Sequence, residues 1–397
     1  MPVSTDITPP FLPNPSATAS VAKLSTLDKQ TASRHLKRRQ FIQLATSATL
    51  SSLALSGCGW TLAGVQAQTT NKGSSKELYI YTQYGYTDDE ILARFTKETG
   101  IRTVADVFDS NEAMLARLQA GGAGTYSIIY PSEYMVQKMV ELETLTQLDF
   151  SRITGIDRLF PRFLNPEYDS GNRHSLPVSW GTTGLIYNKK KLQEVPEDWS
   201  YLWEHRKPLS KRMTLLNDIR EVMGATLRML GYSYNSTDPQ QIQEAYEKLR
   251  ELKPSIASFT TDTWRDQMLS GDLLIAMCYS SDANEIMKEN EDLQYVLPKS
   301  GSSLWIDTIA IPKTAPNPEE AYAWINFMLQ PDIAAQICQR LSFSTANKEA
   351  FKLLPPEIQN NPSLFPPESL LALCEGLAPV GDFSQVYDRY WTQLTSA

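Results

Sequence analysis

From Glu77 onward, short apolar segments of strand length alternate with longer segments of helical periodicity, in two successive series. Alternating strands and helices favour an α/β fold in which helices cover both faces of a largely parallel sheet. Ligands of such sheets bind in the crevice at the carboxyl ends of the strands. Strands are predicted at 78–81, 104–107, 127–130, 213–216, 273–279, 295–297 and 304–311. Helices are predicted at 88–99, 111–119, 221–230 and 239–252, and after Pro316 and Pro331.

The two series predict two lobes of similar size, although no sequence repeat is visible. Glycine and proline punctuate the chain near Leu185 and between Trp305 and Pro312, so the chain is expected to cross between lobes there. The predicted lobe 1 comprises 76–184 plus about 307–352, and the predicted lobe 2 comprises 185–306 plus about 353–397.

The first 58 residues have the parts of an export signal. A proline-rich stretch without apolar periodicity is expected to be disordered, and the paired arginines Arg38 and Arg39 then precede a short apolar segment, as in twin-arginine signals. The segment is too short for a spanning helix. It ends in Leu-Ser-Gly-Cys, which resembles the lipobox in which the cysteine, here Cys58, is lipidated. Residues 59–75 would then form a tether; cleavage after Ala67 is the alternative.

Net charge and cysteine spacing favour some classes of partner over others. Residues 1–58 hold six basic and two acidic residues, and their removal leaves 31 basic and 43 acidic residues, a net charge of −12. This sign disfavours nucleic acid and anionic lipid as partners and suits a cationic ligand. The remaining cysteines, Cys278, Cys338 and Cys374, have no metal-binding spacing.

Motifs for catalysis and cofactor binding are missing from the sequence. It has no nucleophile elbow, zinc-protease, Walker, dinucleotide-binding or Cys-x-x-Cys motif, and His174 and His205 stand far apart. An exported two-lobed chain of this kind is expected to bind a solute without a metal or cofactor, and not to be an enzyme.

A set of short motifs, in order from Leu78 to the C-terminus, resembles the spermidine/putrescine-binding proteins of bacterial polyamine ABC transporters. The resemblance implies a two-lobed type II periplasmic-binding-protein fold with the ligand in the cleft between lobes, hinge closure around it, a monomeric state, and the permease subunits of an ABC importer as partners. The motifs are Leu78–Tyr81, Phe95–Gly100, Phe108–Glu112, Tyr130–Ser132, Trp180–Gly184, Asp218–Val222 and Trp305–Pro312.

A polyamine is an apolar chain with separated ammonium groups, so its site requires carboxylates at the cations and aromatic faces along the methylenes. The resemblance assigns Asp218 and Glu221 to one amine end, although Asp-x-x-Glu is also a helix capping box. It assigns Asp307 and Trp305 to the central carboxylate and aromatic wall; residues two apart on a strand share a face.

The resemblance also implies further contacts. In the second lobe these are Tyr279, where tryptophan is common in the family, and Asp282, which matches an acid of putrescine-preferring members. First-lobe contacts are expected at Tyr84, Tyr86, Ser132 and Tyr134. The chain departs from the family at Gln83-Tyr84, Phe343 and Leu377, which leaves the exact amine open.

Three alternatives remain at this point. The ligand could be another cationic or zwitterionic solute, or ferric iron, although Tyr387 and Tyr390 are not the adjacent pair that iron capture favours. Two acids such as Asp218 and Asp307 could also serve an exported hydrolase. The third alternative is a lipoprotein with only a scaffold or sensor role.

Overall fold

The computed structural model describes residues 76–83, 85–108 and 110–396, which fall within one unit of the chain, Ser74–Ala397. The predicted signal, lipobox cysteine Cys58 and tether lie outside these residues, as does Tyr84. Among the helices of the described residues, none is long and apolar enough to cross a membrane.

The first series of elements begins as the sequence pattern predicts. Asp88 caps the first helix, because its carboxylate accepts a hydrogen bond from the backbone N–H of Ile91 at 2.9 Å, and Gly100 ends the helix with a left-handed φ of 71°. The elements are β1 (Glu77–Thr82), α1 (Asp89–Thr99), β2 (Arg102–Val107), α2 (Asn111–Gln119), β3 (Ile128–Ile129), α3 (Glu133–Glu141) and β4 (Ser175–Asn188).

The second series contains a helix whose bounds agree with the prediction at both ends. Asp238 is the N-cap and Pro239 the first helical residue, a position that tolerates proline because no N–H is needed there. The elements are α4 (Tyr201–Glu204), β5 (Met213–Leu215), α5 (Ile219–Met229), α6 (Pro239–Leu252), β6 (Ile256–Phe259), α7 (Trp264–Ser270), β7 (Ile275–Tyr279), α8 (Ser280–Glu289), β8 (Leu293–Val296) and β9 (Leu304–Ala310).

The C-terminal part returns to helices. Helix α9 (Pro318–Met328) lies after Pro316, and helix α10 (Pro331–Leu341) begins at Pro331. The remaining elements are β10 (Ser344–Thr345), α11 (Lys348–Leu353), α12 (Pro356–Gln359), α13 (Glu368–Leu371) and α14 (Ser384–Ser396).

The strands form a sheet in the order β2-β1-β3-β9-β4-β7-β5-β6, with β8 and β10 also paired to β4. The expectation of a largely parallel sheet holds only at its two ends, where β1 pairs in parallel with β2 and β3, and β5 with β6 and β7. The middle is antiparallel, because β4 and β9 run side by side in opposite directions.

The long strand β4 connects the two series. Its first part, Ser175–Thr182, pairs with β9, and its last part, Thr183–Asn188, pairs with β7 and β8. The sequence did not predict this strand.

Buried apolar residues form separate clusters for the two series. One cluster is built mainly from residues of 78–180 and 306–346, and another from residues of 185–277 together with 380–394. The predicted lobe boundaries stay a prediction; Leu354 and Phe365, assigned in it to lobe 2, pack with Ala334 and Ala350 of helices α10 and α11.

Candidate functional site

A cavity of about 510 Å³ is lined by residues of both series. Its walls come from the start of α2, the β3–α3 junction, the segment before α5, the β7–α8 junction and strand β9. Six of its lining residues are acidic, and none of the described lining residues is lysine, arginine or histidine. The acids are Glu112, Glu133, Asp218, Glu221, Asp282 and Asp307. Such a cavity has a negative potential that favours a cationic occupant.

Asp307 lies on β9 with a side chain that three neighbours hold in place. The Tyr86 hydroxyl donates to Oδ2 at 2.7 Å, and Ser132 Oγ and Gln83 Nε2 donate to Oδ1 at 2.8 Å and 3.1 Å. The residue is only 6% exposed. Burial raises the pKa of the Asp307 carboxyl, and the three hydrogen bonds lower it in part. The carboxylate is thus oriented and has few water molecules to lose on binding a cation.

Asp218 and Glu221 stand at the N-terminus of α5 and have different roles. Asp218 caps the helix, since its Oδ1 accepts from the backbone N–H groups of Arg220 at 2.8 Å and Glu221 at 3.1 Å. The Glu221 carboxylate accepts instead from Ser303 Oγ at 2.8 Å and from the Tyr234 hydroxyl at 2.7 Å. The capping-box alternative therefore describes Asp218 but not the side chain of Glu221.

The negative charge of Asp218 acts on the carboxyl group of Glu221. Burial, followed by the negative charge of Asp218, raises the pKa of Glu221 to about 7. Burial also raises the pKa of Asp218. Glu221 is buried and Asp218 is half-buried; two neighbouring carboxylates repel each other, and a cation between or beside them would relieve that repulsion.

Trp305 forms an aromatic wall together with two neighbours. Its ring meets Tyr279 edge-on at a centroid distance of 6.2 Å and Phe343 edge-on at 6.0 Å. The ring lies against the backbone of Gly181 on β4; a Cβ atom at Gly181 would be 2.1 Å from Cζ2 of Trp305. Only glycine allows this approach.

Glu133 is an acid of the site that sequence reasoning missed. It is 2% exposed, and its carboxylate accepts from the backbone N–H of Ile306 at 2.8 Å and of Leu377 at 3.2 Å. Burial raises its pKa to about 8. Its position directly after Ser132 could have indicated a site residue. However, acids are common on the surface in the first turn of a helix, so this position alone does not distinguish a site residue from a surface residue.

The other predicted site residues differ in whether they line the cavity and in what they contact. Tyr134 lines the cavity and donates to Glu112 Oε1 at 3.2 Å. Tyr86 is 1% exposed and does not line the cavity; it contacts Asp307 and, through its hydroxyl, Ser179. Asp282 lines the cavity but forms an ion pair with Arg265 at 2.9 Å. Tyr84 lies outside the described residues.

Eight of the ten predicted ligand contacts line this one cavity: Ser132, Tyr134, Asp218, Glu221, Tyr279, Asp282, Trp305 and Asp307. The three residues that depart from the family pattern within the described range, Gln83, Phe343 and Leu377, line it as well. Asn111 and Glu112, which the sequence analysis used only as part of a motif, are further lining residues, and Asn111 Nδ2 donates to Ser132 Oγ at 3.1 Å.

Oriented carboxylates beside aromatic faces can hold an organic cation. Among the described residues, no group of three or more histidine, cysteine or acidic side chains is arranged to hold a metal ion. The fold and the cavity thus define a solute-binding protein of the type that holds its ligand between two α/β units.

Comparison with known proteins gives the family. The model of the bacterial extracellular solute-binding proteins matches residues 90–366, and this chain belongs to that family. The spermidine/putrescine-binding periplasmic protein of Salmonella typhimurium is 37% identical over 319 residues, which cover 80% of this chain and 91% of the relative. Spermidine/putrescine-binding periplasmic protein 1 of Haemophilus influenzae is 34% identical over 361 residues, which cover 90% of this chain and 99% of that relative.

Solved structures agree with the fold. The substrate-binding protein PotD of a spermidine/putrescine ABC transporter from Streptococcus pneumoniae, crystallised with calcium and HEPES, superposes with a TM-score of 0.76 at 39% identity, covering 81% of this chain and 98% of that one. A PotD lipoprotein of Treponema pallidum superposes with a TM-score of 0.73 at 27% identity, covering 81% of this chain and 100% of that one.

Proposed function

We propose that this protein captures a polyamine of the spermidine or putrescine class outside the cytoplasm and delivers it to an ABC importer. The observation that carries the proposal is the cavity lined by six acidic residues with no basic residue among its described lining. The names of the curated relatives supply the ligand class.

In this proposal Asp307 receives one ammonium group and Glu221, with Asp218 beside it, receives another. Asp307 is pre-oriented by its three donors, so little side-chain entropy is lost when the ligand binds. The methylene chain between the ammonium groups would pass along Trp305 and Tyr279, whose ring faces also attract the cations.

Capture, and not conversion, is the proposed event. The family consists of solute-binding proteins, and the acids of the cavity have an assigned role at separate ammonium groups. Hinge closure around the ligand is the usual response of two-lobed binding proteins. Recovery of the bound amine unchanged after long incubation is the expected result, and formation of any product would count against the proposal.

Export, anchoring and partners belong to the same proposal. The twin arginines, the short apolar segment and Leu-Ser-Gly-Cys support folded export and lipidation at Cys58. The chain would then act as a membrane-tethered monomer whose partners are the permease subunits of the importer.

A thermal-unfolding panel tests the ligand class. A ligand that binds only the native state raises the unfolding temperature in proportion to the logarithm of its concentration. Putrescine and spermidine are expected to raise it, whereas a neutral sugar, ferric citrate and γ-aminobutyrate at equal concentration are not. A shift with sugar or iron and none with either amine would reject the proposal.

A further inference from the structure

Both carboxylate oxygens of Glu133 bind backbone groups, and these groups belong to segments that are far apart in the sequence. Oε2 accepts from the N–H of Ile306 at 2.8 Å, and Oε1 accepts from the N–H of Leu377 at 3.2 Å. Glu133 is the first residue of α3, Ile306 lies on β9, and Leu377 belongs to segment 375–378. One buried side chain of the cavity wall therefore joins three parts of the chain.

Strand β9 and that segment begin a parallel pairing that Glu133 ends. The N–H of Leu304 donates to the Glu375 carbonyl at 2.9 Å. In a parallel pair, the next N–H groups to be used lie two residues further along each strand. These are the N–H groups of Ile306 and Leu377, and both donate to Glu133 instead. The carboxylate thus supplies the acceptors that continued pairing would otherwise supply.

Side chains of the second series hold the opposite side of segment 375–378. Asn235 Oδ1 accepts from the N–H of Ala378 at 2.9 Å, and Asn235 Nδ2 donates to the Gly376 carbonyl at 2.8 Å. Arg220, on α5, donates to the Ala378 carbonyl at 3.0 Å. The segment therefore lies between the second series and the start of α3, where Glu133 binds it.

Ile306, which Glu133 holds, stands between the two predicted ligand contacts of β9. Trp305 precedes it and Asp307 follows it, and both line the cavity. The residue before Glu133, Ser132, donates to Asp307 Oδ1 at 2.8 Å, so consecutive residues of the α3 start hold consecutive residues of β9. Ile306 is buried, and its N–H would lose its partner if the carboxylate were removed.

We propose that Glu133 is a positioning residue for ligand binding. By accepting the N–H groups of Ile306 and Leu377 it fixes the backbone that carries Trp305 and Asp307, and it acts through the orientation of those two side chains and not through its charge. The inference rests on the proposed function and adds a residue to its site.

The variants Glu133→Gln and Glu133→Met test the proposal, because both remove the charge and keep the length of the side chain. Glutamine has one oxygen that can accept one of the two N–H groups, whereas methionine offers neither group a good acceptor. In calorimetry with putrescine and spermidine, we expect affinity to fall by about threefold to tenfold for each hydrogen bond lost, so that Glu133→Met binds more weakly than Glu133→Gln. Equal weakening in both variants would assign the effect to charge and overturn the proposal.

Hydrogen exchange of the ligand-free protein gives a readout that needs no amine. Nuclear magnetic resonance follows the amides of Ile306 and Leu377, and local loss of a hydrogen bond speeds exchange there. We expect faster exchange at one of these amides in Glu133→Gln and at both in Glu133→Met. Parent-like exchange at both amides in Glu133→Met would overturn the proposal.

The matched control is Glu141, an exposed acid at the other end of the same helix. Glu141→Gln and Glu141→Met remove the same charge from α3, and we expect both to keep the parent's amine affinity and amide exchange. If they changed affinity as the Glu133 variants do, the effect would be one of general charge and the proposal would fail.

Circular dichroism melts separate positioning from a role in stability alone. If the Glu133 variants unfold at lower temperature but bind amines as tightly as the parent, Glu133 is only structural and the inference is rejected. If Glu133→Met does not fold, the affinity and amide exchange of Glu133→Gln decide. A parent that binds neither amine would reject the proposed function itself, whereas a parent that binds amines with the same affinity as both Glu133 variants would reject only this inference.

Discussion

Replacing Asp307 by asparagine removes the central negative charge of the cavity while keeping its shape. In the structure Oδ1 accepts from Ser132 and Gln83, and Oδ2 accepts from Tyr86. An asparagine oxygen can keep the first two hydrogen bonds. Its NH₂ group would face the Tyr86 hydroxyl, which can accept from it and donate to Ser179 instead. Tyr86, Ser132 and Gln83 each keep a hydrogen-bond partner, so the fold is expected to remain.

The cost to binding follows from the charge alone. A hydrogen bond between an ammonium group and a carboxylate contributes roughly 1.5 to 3 kcal/mol more than no contact. Since about 1.4 kcal/mol corresponds to a factor of ten in the dissociation constant, Asp307→Asn should weaken polyamine binding by about tenfold to a hundredfold.

Isothermal titration of putrescine and spermidine into the parent and the variant measures this loss. Asp332→Asn is the control, because Asp332 is an acid on the surface, 55% exposed and paired with Arg94. Equal affinity of the parent and Asp307→Asn, with both proteins folded, would refute the assignment of Asp307 to an ammonium group and leave its three hydrogen bonds with a purely structural role.

Three further predictions follow from the same site and from the N-terminus. Gly181→Ala should displace the Trp305 ring and weaken amine binding, whereas Gly124→Ala, where an added Cβ meets no atom within 4 Å, should leave amine binding unchanged. Equal amine affinities of the two variants would contradict this prediction. Because the pKa of Glu221 is about 7, an ammonium group that binds at this carboxylate should displace a proton, and amine affinity should rise as pH increases through about 7. Calorimetric titration in buffers of different ionisation enthalpy measures the number of protons released, and Glu221→Gln should reduce that number. Cys58→Ser should move the protein from the membrane to the soluble fraction, and continued membrane retention would contradict lipidation.

The sequence predicts elements well where local signals suffice. Asp238 and Pro239 mark the start of α6, and the prediction is confirmed at both of its ends. The pair Trp305 and Asp307 was expected on one strand, and the two residues lie on β9 and line the same cavity.

Features that depend on distant neighbours were not predictable. Strand β4 contains Pro177 and Gly181, and both residue types weaken the sequence pattern of a strand. The pairing of β4 with β9 shifts register just after Pro177. The Trp305 ring packs so closely on Gly181 that only glycine fits there. The position of Tyr86 beneath Asp307 and the ion pair of Asp282 with Arg265 join different elements of the fold, and no spacing along the chain encodes such contacts.

The most direct test of the central claim is the binding stoichiometry and ligand class of the exported, folded chain. Calorimetric titration of the exported chain with spermidine and putrescine should give one bound amine per chain, with an affinity that falls as salt increases because the contacts are ionic. Binding of neither amine, or binding at an undiminished level when Asp307 and Glu221 are both neutralised, would contradict the account.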